Sequence, residues 1–405
     1  MLVPIVDDKS ITKCKEYGLY LDVRKTIMNI LIIPDKFKGS LAASEVISAI
    51  SNGIQKVMPN ANLHSVMSSD GGDGFLNAVA ENLDCEVVTT DTVDPLGRRI
   101  RADYLLNRAD HVAYIELAKS SGLELLQVHE LSVMKTSTYG TGLQIRDAIS
   151  KGATSIYVGL GGSATNDGGT GIALALGYQF LDGLENDLDS NGENLSKIRA
   201  IKKKEVVQDL NNISFYAVND VDNPLFGAKG AAHIYARQKG ANDSEIDALD
   251  EGLRNLDGIV QGNLGKNVAQ SPGAGAAGGT AYGLQAFLNA EFVSGIDFML
   301  NLAHVEELLQ TKKIDYIITG EGKFDNQTLH GKLINGVVDL GKNHGVPVIV
   351  VCGQSEVATE KLASLHITEV LEISDASKPL EYNMENAAAL TEKAVLTFFE
   401  NLTET

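Results

Sequence analysis

Gly159-Leu160-Gly161-Gly162-Ser163-Ala164-Thr165-Asn166-Asp167-Gly168-Gly169-Thr170-Gly171 is the stretch on which the reading of this chain turns. Ahead of it, Ser155-Ile156-Tyr157-Val158 predicts a short buried strand, and the small-residue run from Ile172 to Gly177 behind it predicts the start of a helix. Strand, polar glycine loop and helix in that order form the repeating unit of an α/β sheet. Glycines let the backbone come close to a ligand, and neighbouring N–H groups can converge on an anion. Ser163 and Thr165 add hydroxyl donors, and Asp167 is placed to hold a cation beside that anion. The stretch therefore reads as a phosphate cradle of Gly161, Gly162, Ser163 and Thr165 with a metal contact at Asp167. A loop that only turns the chain is the plainer alternative.

The same unit recurs on either side. Asn29 to Ile33 is a continuous aliphatic run, too apolar for an edge strand, followed by Pro34-Asp35-Lys36-Phe37-Lys38-Gly39-Ser40. A helix to about Met58 comes next, with Val46, Ile47, Ile50, Ile54 and Val57 on its buried face. Asp35, Lys38 and Ser40 thus stand at the carboxyl end of a strand, where ligands of open α/β sheets collect. A second strand, Asn62 to Met67, leads to Asp70-Gly71-Gly72-Asp73-Gly74, whose two carboxylates suit a cation, a substrate hydroxyl or a helix cap. Three segments, Glu86 to Thr92, Arg99 to Leu106 and Val112 to Glu116, suggest antiparallel pairing around the turn Asp94-Pro95-Leu96-Gly97. Phe215 to Val218 delivers Asn219 and Asp220 to a loop, Gly240 to Asn267 reads as a polar helix, and Pro272 to Gly279 is a second glycine-rich run ahead of a helical Ala281 to Leu288. Near the end, Asp315 to Thr319 is a buried strand with Gly320-Glu321-Gly322-Lys323-Phe324-Asp325 as its loop, and a helix begins at Lys332.

Length and composition narrow the function. The chain has 405 residues, 44% of them hydrophobic, so two domains are the default expectation. No run is long and apolar enough to cross a bilayer. Residues 1–27 carry charges and no apolar signal core, so no export is expected; they read as an added arm or an upstream start. A formal net charge of −19 repels nucleic-acid backbones and offers no basic patch to a membrane. A polyphosphate ligand would meet the same repulsion and so would need Mg²⁺ with a local set of lysine and backbone donors. Three scattered cysteines, Cys14, Cys85 and Cys352, suit a reducing cytoplasm, and none of the eight histidines has zinc spacing.

Two dinucleotide patterns compete with the cradle. Gly159-x-Gly161-x-x-Ala164 follows a strand, with Asp182 near the position of a ribose-binding acid, and Gly273-x-Gly275-x-x-Gly278 follows Ser271-Pro272 instead of a strand. The first supports an NAD(P)-dependent hydroxy-acid oxidoreductase as the runner-up. Asp167, however, is awkward beside a pyrophosphate without a metal and natural where Mg²⁺ bridges phosphates, which favours phosphoryl transfer. No P-loop signature, protein-kinase set or Gly-x-Ser-x-Gly elbow is present.

Asp35-Lys36-Phe37-Lys38-Gly39-Ser40-Leu41, Asp70 to Gly74, Gly159 to Gly169, Asn223-Pro224-Leu225, Gln238-Lys239-Gly240-Ala241, Pro272 to Gly279 and Thr319-Gly320-Glu321-Gly322 occur in one order. Together they closely resemble the type-1 glycerate kinase family, the bacterial type that makes 2-phosphoglycerate from D-glycerate and ATP. The likeness runs from Met28 to the C-terminal helix. It implies a flavodoxin-like α/β domain built from residues 28–114 and 303–405, a second α/β domain inserted over 115–302, and an active-site cleft between them. Lys36 stands for the family's usual serine, Asp73 for glutamate, Phe75 for threonine, Leu143-Gln144 for a Gly-x-Gly-Glu run and Leu333-Ile334 for Thr-Pro. These departures bear on substrate detail more than on reaction class.

Phosphoryl transfer asks mainly for positioning and charge neutralisation. On that basis Gly161, Gly162, Ser163 and Thr165, with Gly275 and Lys332, are assigned to ATP, and Asp167 and Asp73 to Mg²⁺. Lys38 and Ser40 meet the carboxylate of glycerate, with Lys38 on the γ-phosphate as the alternative. Asp35, Glu321 and Asp325 complete the substrate site. Asp220 and Asp70 are the candidates to take the proton of the attacking hydroxyl. A catalytically silent sensor is a third reading; the sequence does not separate 2- from 3-phosphorylation, and the oligomeric state stays open, a homodimer included.

Overall fold

The structure, a computed structural model, describes residues 27–67, 72, 74–204, 210–324, 332–358, 362 and 364–404. The expectations for residues 1–26, Asp70, Asp73 and Asp325 fall outside the described residues, and of Lys332 only the backbone is described. The chain divides into two compact units: Met1–Ser65, Leu309–Asn326 and Val337–Thr405 form the first, and Val66–Leu308 with Gln327–Gly336 the second.

The first unit is built on a parallel sheet. Its strands are β1 (Asn29–Pro34), β2 (Asn62–Ser65), β11 (Tyr316–Phe324), β12 (Val348–Ser355) and β13 (Ile367–Glu372), in the order β2-β1-β11-β12-β13. All neighbours are parallel. Counted within this unit the order is 2-1-3-4-5, the flavodoxin-like winding, with its switch point between β1 and β11. Ile30 to Ile33 are buried on both faces, as their unbroken apolar run requires. Helix α1 (Ala43–Val57) sets Val46, Ile50 and Ile54 into this core beside Val395 and Phe399 of the last helix, α13 (Ala387–Glu404). Helices α11 (Lys332–His344) and α12 (Leu380–Glu385) come between. Strand β11 runs five residues beyond the expected Thr319, through what the sequence suggests is a loop. Its backbone stays in register with β12 as far as Phe324 opposite Ser355, and Gly320 and Gly353, where a Cβ would meet Val351 O and Gly322 O, allow the two strands to run that close.

The second unit holds a mixed sheet of β3 (Glu86–Val93), β4 (Arg99–Asn107), β5 (Val112–Glu116), β6 (Ser155–Gly159), β9 (Ser214–Val218) and β10 (Glu291–Val293), ordered β10-β9-β6-β5-β4-β3. The β3–β4–β5 meander is antiparallel, as expected, and β5, β6, β9 and β10 are parallel. These first three strands therefore lie in the second unit, whereas the division drawn from the family likeness falls after residue 114. The helices are α2 (Phe75–Asn82), α3 (Ala118–Ser121), α4 (Tyr139–Ser150), α5 (Thr170–Ala175), α6 (Ala231–Tyr235), α7 (Asp243–Leu264), α8 (Ala276–Leu288), α9 (Gly295–Leu302) and α10 (Val305–Thr311), the last of which crosses the unit boundary after Leu308. A separate hairpin pairs β7 (Tyr178–Leu181) with β8 (Ala200–Lys203). The expected polar helix is α7, opened by a capping box in which Asn242 Oδ1 accepts from Glu245 N and Glu245 returns the bond to Asn242 N. Its buried residues, Ile246, Leu249, Leu253, Leu256 and Val260, keep the helical period.

Candidate active site

In the second unit the parallel strands end in line. Glu116 of β5 stands opposite Gly159 of β6, Gly159 opposite Val218 of β9, and Val218 opposite Val293 of β10. The line continues one step past the strands: Leu117 N donates to Gly159 O, Leu160 N to Val218 O and Asn219 N to Val293 O. The loops that leave this edge carry the expected residues, Gly161 to Asp167 from β6 and Asn219-Asp220 from β9.

The β6 loop is fastened at almost every point. Leu123 N donates to Gly162 O, Ala164 N to Ser121 O, and Thr136 Oγ1 to Ala164 O at 2.8 Å. Gly278, in the kinked first turn of α8, lies against the other side: a Cβ there would come within 2.0 Å of Thr165 O, and its φ of +66° suits glycine. Three successive amides escape this fastening. The N–H groups of Gly161, Gly162 and Ser163 have no acceptor among the described residues. Gly162 is exposed, Gly161 half-buried and Ser163 buried, while Thr165 lies wholly underneath. Thr165 Oγ1 and both amide atoms of Asn166 have no hydrogen-bond partner among the described residues. Consecutive unclaimed N–H groups make an anion-binding concavity, which fits the phosphates of a nucleotide.

Beneath the loop lies a lysine to which the sequence reading assigns no role. Lys239, 3% exposed, donates from Nζ to Ser163 Oγ and to Thr165 O, both at 2.7 Å. Burial pulls its pKa down to about 7, and the charge of Asp167 acts in the opposite sense. Its segment, Gln238 to Ala241, is one of the blocks of the family likeness. No chemical pattern in the sequence ties a single lysine to a loop 76 residues earlier.

Asp167 does something other than present itself to a cation. It is completely buried, and its carboxylate accepts from Thr138 N and Thr138 Oγ1 at 2.8 Å, Gly169 N at 3.0 Å and Gly171 N at 3.2 Å. Burial raises its pKa, and these donors hold back part of the rise. The donors sit at the starts of α4 and α5, so Asp167 caps both helices. With both oxygens so engaged it does not fit a metal ligand, and no cluster of three or more His, Cys, Asp or Glu residues suits a metal among the described residues.

The remaining expected residues are spread over both units. Asp220 Oδ1 accepts from Ser294 Oγ and Gly295 N, each at 3.0 Å, which ties the β9 loop to the start of α9. Gly275 spends its amide on Asn223 O at 2.8 Å. In the first unit Asp35 Oδ1 accepts from Lys36 N at 2.7 Å, and Asp35 N donates to Gly320 O across the switch point at 2.8 Å. Phe37 and Leu41 close a tight turn that leaves Lys38 exposed at its tip, while Ser40 Oγ donates to Met384 O at 2.7 Å. Glu321 lies within β11, opposite Cys352. The acid of the dinucleotide reading, Asp182, closes the turn after β7 by accepting from Leu184 N, Asn186 N and Asn186 Nδ2. Ala164 lies in the loop, not in a helix, as α5 starts only at Thr170. Neither feature suits a dinucleotide fingerprint. A buried acid not anticipated from the sequence, Glu116, ends β5; it accepts from Leu76 N at 3.2 Å and pairs with Lys119 at 3.5 Å.

The first unit has the flavodoxin-like winding, and in the second the strand ends carry consecutive unclaimed amides over a buried lysine, an arrangement that suits a phosphate-bearing ligand of an α/β enzyme. The family model described as the glycerate kinase family matches residues 30–403. Over 365 residues the chain is 38% identical to a glycerate kinase of Halalkalibacterium halodurans, covering 90% of this chain and 96% of that one. It is 37% identical over 326 residues to glycerate 2-kinase of Escherichia coli K12, covering 80% and 85%. The crystal structure of a protein designated glycerate kinase 2 in Salmonella typhimurium LT2 superposes with a TM-score of 0.78 at 34% identity, over 94% of this chain and 99% of that one. The chain belongs to the glycerate kinase family, and with it to the phosphotransferases that use an alcohol group as acceptor. No helix among the described residues is long and apolar enough to cross a membrane.

Proposed function

We infer that this chain phosphorylates D-glycerate at its 2-hydroxyl with ATP as the donor. The observation that carries the reading is the run of three unclaimed amides at Gly161, Gly162 and Ser163 above the Lys239 ammonium. In a chain of net charge −19 such a local surplus of donors is what a polyphosphate requires. ATP supplies the phosphoryl group; the chain supplies position and charge neutralisation. Gly161, Gly162 and Ser163 hold the phosphates, and Thr165 and Gly275 are assigned to the same ligand. Lys332 belongs to the same assignment. Lys38, exposed at the tip of its turn, meets the carboxylate of the acid, and Asp35, Ser40, Glu321 and Asp325 are assigned to the same substrate. Asp220, steadied by Ser294 and Gly295, takes the hydroxyl proton as the oxygen accepts the phosphoryl group, and Asp70 is the second candidate for that task. Of the two acids assigned to Mg²⁺, Asp73 remains. The enzyme works in the cytoplasm on small molecules.

The test is release of ADP from ATP in the presence of D-glycerate, L-glycerate or neither. Release that depends on D-glycerate supports the reading. Release indifferent to the hydroxy acid, or a nicotinamide absorbance change without ATP, overturns it.

A further inference from the structure

Lys239 closes the short 3-10 turn Arg237–Lys239 and reaches the β6 loop from below. Burying an ammonium is costly unless its donors and its charge are met. Two of its three N–H groups are met by neutral oxygens, Ser163 Oγ and Thr165 O. Its charge is answered only at a distance: Asp167 favours the charged form, but no ion pair links the two among the described residues. The bond to Ser163 also has a direction. A hydroxyl oxygen that accepts from an ammonium must turn its own hydrogen elsewhere, and no acceptor among the described residues takes the hydrogen of Ser163. That hydrogen, like the amides of Gly161, Gly162 and Ser163, is left without an acceptor among the described residues.

We propose that Lys239 is a positioning residue for the phosphate seat: by donating to Ser163 Oγ it makes that hydroxyl a donor to the bound anion, and it sets positive charge behind the three amides. This role rests on the assignment of the loop to ATP phosphates. Lys239 does not touch the reacting atoms; it acts through Ser163 and through its charge. Ser163→Ala removes the first path, and Lys239→Gln keeps a donor while removing the charge.

The experiment compares Lys239→Met, Lys239→Gln, Ser163→Ala and the Lys239→Met/Ser163→Ala double variant in the full chain. It reads KM for ATP, KM for D-glycerate and kcat, equilibrium binding of ATP, and melting temperature. Lys239→Met and Ser163→Ala should each weaken ATP about tenfold, the scale of one charge-assisted hydrogen bond, with KM for D-glycerate close to wild type. The double variant should be little worse than Lys239→Met alone, because both changes break one chain of interactions. Lys239→Gln should fall between wild type and Lys239→Met. A further variant, Lys239→Ala, made for chemical rescue, should recover part of the ATP affinity when ethylamine is added. Additive losses, equal weakening of both substrates, or unfolding of both Lys239→Met and Lys239→Gln would overturn the role. Direct ATP binding separates the two levels. If Ser163→Ala leaves ATP binding untouched, the phosphate seat itself is misplaced. If Ser163→Ala weakens it and the lysine variants do not, the seat stands and the lysine role falls.

Discussion

Asp167 Oδ2 accepts both the backbone amide and the hydroxyl of Thr138, each at 2.8 Å, in a site closed to solvent. One carboxylate thus joins the start of α4 to the loop that leads into α5, with Gly169 and Gly171 supplying the remaining bonds. Asp167→Asn places an amide NH₂ against donors that need an acceptor. It should cost about 2–4 kcal/mol of stability, the scale of lost charge-assisted bonds at a buried site. The Mg²⁺ dependence of the folded fraction should match wild type. A raised Mg²⁺ requirement at unchanged melting temperature would return Asp167 to the metal.

Lys38 is exposed, and no hydrogen bond or ion pair of its side chain is found among the described residues. Lys38→Ala should therefore leave the melting temperature unchanged while abolishing turnover. Steady-state kinetics against each substrate decide its task. A loss confined to ATP affinity would remove it from the carboxylate of glycerate.

Asp220 keeps one oxygen on Ser294 and Gly295, and Asp220→Asn retains an acceptor for both bonds. This variant should fold normally and lower kcat by about 10²–10⁴, as the loss of a general base does. An unchanged kcat would pass the role to Asp70.

Lys239 makes stability depend on pH in a defined sense. Burial lowers its pKa to about 7 in the folded protein, whereas an unfolded lysine titrates near ~10.4. Between those values the unfolded chain binds more protons, so this group's contribution to stability rises with pH across the interval. Below it the cost of the buried charge is felt in full. Lys239→Met lacks the titration, so wild type should gain stability relative to the variant between pH 7 and pH 9, measured by denaturant unfolding at each pH. A gap that does not change with pH would show that the ammonium is not burdened by burial.

Much of this was legible in the sequence because it rests on local pattern. The aliphatic run Asn29 to Ile33, the period of Val46, Ile50 and Ile54, and the glycine loop after Val158 each specify their element from a few neighbouring residues. What escaped depends on partners far along the chain. Asp167 among glycines reads as a cation holder until Thr138, 29 residues earlier, is found to use its oxygens. Lys239 is one lysine in a polar segment until it is seen under Ser163. Asp182 has the spacing of a ribose acid, but Leu184 and Asn186 engage it in a turn. In β11 the glycines at 320 and 322 suggest a loop, although the strand runs through both and Gly320 serves the close approach of β12.

The most direct test is a proton-coupled ³¹P NMR spectrum of the product formed from D-glycerate, ATP and Mg²⁺ by the purified chain. Transfer to the 2-hydroxyl predicts a new phosphomonoester signal split into a doublet by the lone hydrogen on that carbon, growing as ADP appears. A triplet would place the phosphoryl group on the terminal hydroxyl, and a spectrum showing only ATP, or ADP with inorganic phosphate, would contradict the account.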